Sequence, residues 1–432
     1  MKNKREISER KRNNARLYPL YKMVSWDRIC FYSIEFLFYT ITKNVTASEV
    51  LIINAIYIIS RILMQIPAVT ISDILGKRTG IIIGNIFVMI NILVLMLAPG
   101  MIGIIIANLF FALGYDIKII TETNLLYDSV STRGGEGLYT KLDSKGGSWY
   151  YWLDGITCLS SGYLFVINNY LPLIICLGFA LIATILSFGF KDVYKTNKDN
   201  KKSIGTILNE YGDDLSQSFK FIIKSRRIKA YVIFGAIFYG IICTFDVYRC
   251  DLLTFKGIPE EQYSMIFAVL TLIAGIGVSL SENLHKKFKN KTLTVLSGTY
   301  ILGCVIIGIC SNTLKNEISI PIIILLLAIL KICTSIWYIL EYKYLKNFTT
   351  PEIRNKIMFT YELIGGIVAS TIAFIGSLVL KMLNIDRAFL LESIASAIVI
   401  IIVLIYMKPR FGLKPKDYKK EDIEMKERVK SK

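Results

Sequence analysis

Apolar runs of about 20 residues recur along the whole chain, and they restrict the fold more than any other feature of the sequence. A helix of that length crosses the hydrocarbon core of a bilayer. Backbone N–H and C=O groups in hydrocarbon must be paired inside the protein, so these runs are predicted to be spanning helices. The hydrophobic content, 53% of 432 residues, and the mean hydropathy of +0.51 agree with a membrane protein.

Twelve such runs fall into two groups of six, which predicts an all-α integral membrane protein of twelve transmembrane helices. The predicted parts are a cytoplasmic N-tail (1–23), an N-terminal six-helix half (24–190), a linker (191–229), a C-terminal six-helix half (230–407) and a C-tail (408–432). The predicted spans are 24–42, 48–71, 79–98, 101–126, 149–167, 171–190, 230–254, 262–283, 292–310, 321–345, 356–381 and 387–407.

The net charge of +18 is distributed in a way that predicts the orientation of the spans. Lys and Arg are concentrated in both tails, in the linker and in the even-numbered loops. Basic loops stay on the cytoplasmic side, so both termini are expected to be cytoplasmic in a multi-pass protein of the cell membrane. No recognition fold surrounds this charge, so nucleic-acid binding is not expected. The expected partners are the lipid bilayer, a small-molecule substrate and protons, and the chain is expected to be a monomer.

The two halves also resemble each other in sequence. Residues 43–45 align with 256–258, and residues 78–79 align with 291–292 in the same register. Two halves of equal orientation are parallel repeats, an architecture of transporters that rock around a central site.

Two short motifs resemble those of a known family. Residues 72–80 read S-D-I-L-G-K-R-T-G, which resembles the D-x-x-G-[RK]-[RK] signature between helices 2 and 3 of the major facilitator superfamily. Residues 122–129 read E-T-N-L-L-Y-D-S and resemble a stretch in a bacterial branch of that superfamily. The resemblance covers nearly the whole chain and implies secondary transport by alternating access. One departure is that residues 159–162 read L-S-S-G, without the Gly-Pro pair of many drug antiporters.

The resemblance implies a conformational latch on the cytoplasmic side, formed by Asp73, Gly76, Lys77 and Arg78. The positive-inside rule alone accounts for Lys77 and Arg78, but not for the acid beside them. The Asp73 carboxylate is expected to cap N-terminal amides in span 11, near Lys356, while the cytoplasmic side is closed.

Charged residues inside the predicted spans are the candidates for substrate binding or coupling, because each costs at least about 2.5–3.5 kcal/mol at the bilayer centre. The candidates are Glu35, Arg61, Asp116, Lys118, Glu122, Asp154, Asp246, Arg249 and Lys331. Helical spacing predicts that Lys118 pairs with Glu122, and that Asp246 pairs with Arg249.

Glu35 and Arg61 lie near mid-membrane and have no opposite charge one turn away on their own helices. Arg28 shares a helical face with Glu35, but seven residues of regular helix would keep the two apart. Glu35 and Arg61 are therefore expected to face a cavity, where they would contact substrate or carry a coupling proton.

Other chemistry has little support. The eight cysteines lie in apolar runs without a C-x-x-C pair, and the single histidine, His285, follows an apolar run in a Lys-rich loop. Neither disulfides nor a metal site is expected. No P-loop is present, so no cofactor and no ATP-driven mechanism are expected. Paired acids, a Cys–His set and a metal cluster are all missing, so the chain is not expected to be an enzyme.

The sequence thus favours a secondary active transporter of a small solute, with proton coupling preferred. Efflux of an organic compound and uptake of a nutrient both stay open: the missing Gly-Pro pair argues against efflux, and the bacterial branch argues for it. A receptor or scaffold that kept the fold and lost transport is the alternative from another class.

Overall fold

The computed structural model describes residues 2–130, 135–193, 204–348 and 351–417, and all regular structure in these ranges is helical. The all-α prediction is confirmed for this part of the chain. The helices are α1 (Lys2–Ser25), α2 (Glu35–Leu37), α3 (Ala47–Leu75), α4 (Lys77–Leu97), α5 (Gly100–Val130), α6 (Gly135–Ile167), α7 (Leu171–Ser187), α8 (Ile204–Lys224), α9 (Arg226–Phe255), α10 (Glu260–Phe288), α11 (Lys291–Thr313), α12 (Asn316–Phe348), α13 (Pro351–Met382) and α14 (Ile385–Arg410).

Within the described ranges, nine helices are long and apolar enough to cross a membrane: α3 to α5 and α9 to α14. The predicted spans 24–42, 149–167 and 171–190 are not among them. The third corresponds to α7, which is apolar but only 17 residues long. The total of twelve spans therefore remains a prediction.

The first predicted span is broken. α1 ends at Ser25, and the chain continues through a 3-10 turn (Tyr32–Ile34), the one-turn α2 and a π-helical turn (Phe38–Thr42). Cys30 has a φ of 70°, in the left-handed region, and the Asp27 carboxylate accepts a hydrogen bond from the backbone N–H of Arg28 at 2.7 Å. Such a local side-chain bond competes with the helical ladder, so the prediction of a continuous helix over 24–42 is wrong.

The chain divides into two compact units, each made of several stretches of sequence. The N-terminal unit contains Met1–Thr46, Ile59–Leu208 and Pro259–Ala268, and the C-terminal unit contains Ala47–Ile58, Asn209–Ile258 and Val269–Lys432. The start of α3 thus packs in the C-terminal unit, where the Ser370 hydroxyl donates to the carbonyl oxygen of Ala55 at 2.9 Å.

Small residues bring helices together in the N-terminal unit. A Cβ added at Gly84 of α4 would lie 2.8 Å from the carbonyl oxygen of Gly114 of α5, so only glycine fits at this crossing. α1 packs against α5, α6 and α7. It buries Tyr18 and Tyr21, and the Tyr18 hydroxyl donates to Asp143 at 2.9 Å. Burial, with Glu122 and Asp143 nearby, raises the pKa of Tyr18, so the phenol stays a proton donor.

α9 forms the core of the C-terminal unit and packs against α13 and α14. Its aromatic side chains surround Trp337 of α12, with ring centroids of Phe234 and Phe238 at 5.7 and 5.1 Å. The predicted polar linker contains a helix, α8, and Asp214 of α8 pairs with Lys356 of α13 at 2.6 Å. All eight cysteines are free thiols.

Candidate substrate and coupling sites

Arg61 and Asp116 form an ion pair between α3 and α5. The Arg61 guanidinium nitrogen NH2 lies 2.9 Å from Asp116 Oδ1, and the guanidinium packs over the Tyr115 ring at 4.7 Å. The Asp116 side chain is 3% exposed, whereas the Arg61 side chain is 36% exposed. The ion-pair partner of Arg61 therefore lies on another helix, whereas sequence spacing predicts only partners on the same helix.

Glu35 also has partners. Its Oε1 lies 2.8 Å from a guanidinium nitrogen of Arg28 and accepts a hydrogen bond from the Tyr39 hydroxyl at 2.6 Å. The prediction that Arg28 is too distant was wrong, because the chain between the two residues is not a regular helix. Arg28 packs over the Phe111 ring of α5 at 4.5 Å, which ties the broken segment to that helix.

Lys118 stabilises the break in span 1. It is buried on α5, and its ammonium donates to the carbonyl oxygen of Ser25, the last residue of α1. A cation at a helix C-terminus satisfies carbonyls that have no partner within the helix. The predicted ion pair between Lys118 and Glu122 does not form among the described residues. Lys118 instead contacts a backbone group of another helix.

Four buried carboxylates, those of Glu122, Asp154, Glu341 and Glu392, have no Lys or Arg ion-pair partner in the described part of the chain. Glu122 of α5 and Asp154 of α6 are each 6% exposed, and each has one carboxylate oxygen without a hydrogen-bond partner there. Glu341 of α12 is equally buried and accepts a hydrogen bond from the Tyr361 hydroxyl. Glu341 is not among the candidates predicted from the sequence. A signal for it is the weak repeat between residues 122–126 (E-T-N-L-L) and residues 341–345 (E-Y-K-Y-L), which aligns Glu341 with Glu122.

The C-terminal unit contains a small cavity beside the predicted Asp246–Arg249 pair. The pair is confirmed, with a distance of 3.0 Å between Arg249 NH1 and Asp246 Oδ1. Lys331 of α12 reaches the same cavity and makes no ion pair with any described residue. The cavity is lined by Phe245, Asp246, Arg249, Tyr300, Leu327, Leu330, Lys331, Thr334 and Phe389. Two cations, one acid and aromatic rings thus meet at one place.

The latch candidates lie between α3 and α4. Gly76 has a φ of 86°, which favours glycine at this turn. Lys77 forms an ion pair with Asp128 of α5. Arg78 donates its backbone N–H to Asp192 at 2.9 Å and a guanidinium N–H to the carbonyl oxygen of Phe188 at 3.0 Å. The side chain of Asp73 lies outside the described residues.

The described residues contain no group of three or more His, Cys, Asp or Glu side chains that could hold a metal ion.

Comparisons with known proteins show which protein family and which solved structures the chain resembles. The sequence model of the Major Facilitator Superfamily matches residues 23–329. No curated protein sequence matches the chain significantly.

Several solved transporters share the fold. The nucleoside transporter NupG superposes with a TM-score of 0.72 at 12% identity, covering 92% of this chain and 99% of NupG. A D-xylose-proton symporter gives a TM-score of 0.65 at 11% identity, covering 95% and 98% of the two chains. A POT family transporter in complex with a thioalcohol-conjugated peptide gives 0.61 at 15% identity, covering 94% and 96%. At such identities the likeness concerns the fold alone.

Proposed function

The chain belongs to the Major Facilitator Superfamily, and on this basis we propose that it is a secondary active transporter of a small solute in the cell membrane. Alternating access, with both termini in the cytoplasm, is the mechanism proposed for it. By their names, the similar structures are a nucleoside transporter, a D-xylose-proton symporter and a POT family transporter in complex with a thioalcohol-conjugated peptide, which supports a small polar solute.

The charged cavity of the C-terminal unit carries the proposal for substrate binding. Its volume of about 10 Å³ has room for about one water molecule, so the cavity would have to widen to admit a solute. Lys331 and Arg249 face one acid, Asp246, so a substrate with a polar or anionic group would complete the charge balance. The rings of Phe245, Tyr300 and Phe389 would pack against its apolar part. Arg61, which is partly exposed, is proposed as a substrate contact within the N-terminal unit.

Proton coupling is proposed to use Glu122 or Asp154 rather than Glu35. Neither carboxylate has an ion-pair partner among the described residues; burial of a carboxylate charge that lacks such a partner is costly, and protonation removes that cost. Glu35 already has Arg28 and Tyr39 as partners, which suits a positioning role in the broken span. Likeness of fold to a D-xylose-proton symporter supports coupling to protons.

Two directions of transport remain candidates. The missing Gly-Pro pair at residues 159–162 and the likeness to a symporter support uptake. The motif at residues 122–129 supports efflux of an organic compound. A transport-inactive receptor or scaffold is the competing hypothesis, and the experiments below separate it from both.

Thermal shifts of the purified protein against a panel of nucleosides, sugars, peptides and organic anions would identify ligands. A ligand stabilises the folded state by RT ln(1 + [L]/Kd), so binding raises the melting temperature. For the solute with the largest shift, Lys331→Met should reduce the shift. The control Lys381→Met, at the exposed end of α13, should not. Equal shifts in both variants would show that Lys331 does not contribute to binding of that solute.

A further inference from the structure

The cytoplasmic end of the N-terminal unit carries a second, larger cavity that is separate from the charges inside the spans. We propose that this cavity binds the phosphate of an anionic phospholipid headgroup. Its walls come from α1, from the start of α4 and from the segment that follows α7. The lining residues are Glu6, Glu9, Arg10, Arg12, Asn13, Arg16, Arg78, Lys191 and Asp192.

Hydrogen bonds fix α1 against the segment after α7. The Asn13 side chain donates to the carbonyl oxygen of Gly189 at 2.8 Å, and Arg10 donates to the carbonyl oxygen of Asp192 at 3.1 Å. Asn14 exchanges two hydrogen bonds with the backbone of Lys191, at 2.8 and 3.0 Å. The cavity walls are therefore held in place by the protein itself.

Two of the three acidic residues that line the cavity already have partners within the protein. Glu6 pairs with Arg10 at 2.5 Å, and Asp192 accepts a hydrogen bond from the backbone N–H of Arg78 at 2.9 Å. Only Glu9 makes no such contact within the described ranges.

Several cationic donors of the cavity remain available. Arg12, Arg16 and Lys191 are exposed and form no ion pair with any described residue. The Nε of Arg78 is buried and has no hydrogen-bond acceptor in the part of the chain that the structure describes. Four cationic side chains thus offer donors to an anion with several oxygen acceptors, and a phosphate group has this chemistry. The positive-inside rule predicts the charges, but not their grouping around one cavity.

The position of the cavity points to a lipid rather than to a soluble phosphate compound. α4 begins at Lys77, and the apolar α7 ends at Ser187, so the cavity lies at the membrane ends of two helices. Leu20, one turn beyond Arg16 on α1, is 44% exposed, and Phe188 is 55% exposed. These apolar side chains would lie along acyl chains while the headgroup occupies the basic cavity, as in other basic pockets on the cytoplasmic side.

The test compares melting temperatures in nanodiscs of phosphatidylcholine alone and of phosphatidylcholine mixed with phosphatidylglycerol. The test variant carries Arg12→Gln, Arg16→Gln and Lys191→Gln. The control carries Lys287→Gln, Lys291→Gln and Lys408→Gln, three exposed cations outside the cavity near the ends of α10, α11 and α14. Native mass spectrometry counts the bound phosphatidylglycerol in each protein.

We expect phosphatidylglycerol to stabilise the wild type and the control, and to stabilise the test variant much less. Each lost cation should weaken binding about fivefold, so the triple variant should bind on the order of a hundredfold more weakly. A charge-retaining variant, Arg12→Lys with Arg16→Lys and Lys191→Arg, should keep most of the effect, which separates charge loss from misfolding.

Three results would overturn the proposal. The test variant could respond to phosphatidylglycerol like the wild type, or the control could lose the response equally, which would indicate a general surface charge effect. Inorganic phosphate or glycerol phosphate could also stabilise the wild type fully in phosphatidylcholine alone, which would assign the cavity to a soluble ligand. None of these results depends on whether the protein transports a solute.

Discussion

The Arg61–Asp116 pair should respond unequally to the loss of its two partners. Asp116 is 3% exposed and Arg61 is 36% exposed. Arg61→Gln leaves the Asp116 carboxylate buried without the guanidinium, at a cost of about 3 kcal/mol. Asp116→Asn leaves a cation that water can partly reach, so its cost should be about 1 kcal/mol.

The double variant should be more stable than Arg61→Gln alone, because the uncompensated buried charge is then gone. The coupling energy expected from the double-mutant cycle is about 1–3 kcal/mol. The assay is the unfolding free energy of each variant in mixed micelles titrated with a denaturing detergent.

The Asp246–Arg249 pair provides a matched control, because its exposures are reversed: 36% for Asp246 and 12% for Arg249. Asp246→Asn should therefore be more destabilising than Arg249→Gln. The reasoning would be refuted if loss of the arginine were the more destabilising substitution in both pairs. It would also be refuted if the destabilisations by Arg61→Gln and Asp116→Asn simply added in the double variant, because burial would then not control the stability of these pairs.

Further predictions concern coupling, the latch and topology. Glu122→Gln should abolish the pH dependence of transport in proteoliposomes, whereas Glu35→Gln should lower stability and leave that dependence in place; the reverse pattern would restore Glu35 as the coupling group. Asp73→Asn should slow transport and increase labelling of cysteines at the cytoplasmic ends of the spans. If neither transport nor labelling changed, Asp73 would not act as a conformational latch. A single cysteine replacing Lys315 should react with an impermeant reagent from outside, and one replacing Asn200 should not; equal labelling would refute the orientation.

Local sequence spacing predicted only part of what lies on one regular helix, because it identified the Asp246–Arg249 pair but also predicted a Lys118–Glu122 pair that does not form among the described residues. The apolar runs of the C-terminal half predicted the helices α9 to α14, which are long and apolar enough to cross a membrane. The three-residue spacing of Asp246 and Arg249 predicted their ion pair. The helices were found from the length of the apolar runs and the ion pair from helical spacing, and both features are visible in a single sequence.

Contacts between helices could not be predicted in this way. Neither Gly nor Pro marks the break after Ser25, and the group that stabilises it, Lys118, comes from α5. The same break brings Arg28 to Glu35, against the helical expectation. Asp116 as the partner of Arg61 likewise depends on the packing of α3 against α5. The sequence thus identified the charged groups of the candidate sites, but not most of their partners.

Solute-driven proton movement in proteoliposomes tests the central claim of secondary transport most directly. Purified protein would be reconstituted with a pH-sensitive dye inside, and the solutes that raise its melting temperature would be added with and without an imposed proton gradient. We expect at least one solute to drive proton movement in vesicles with protein and none in empty vesicles, and a proton gradient to drive accumulation or release of that solute. Solutes that bind and stabilise the protein without crossing the membrane under either gradient would contradict the claim and favour a receptor.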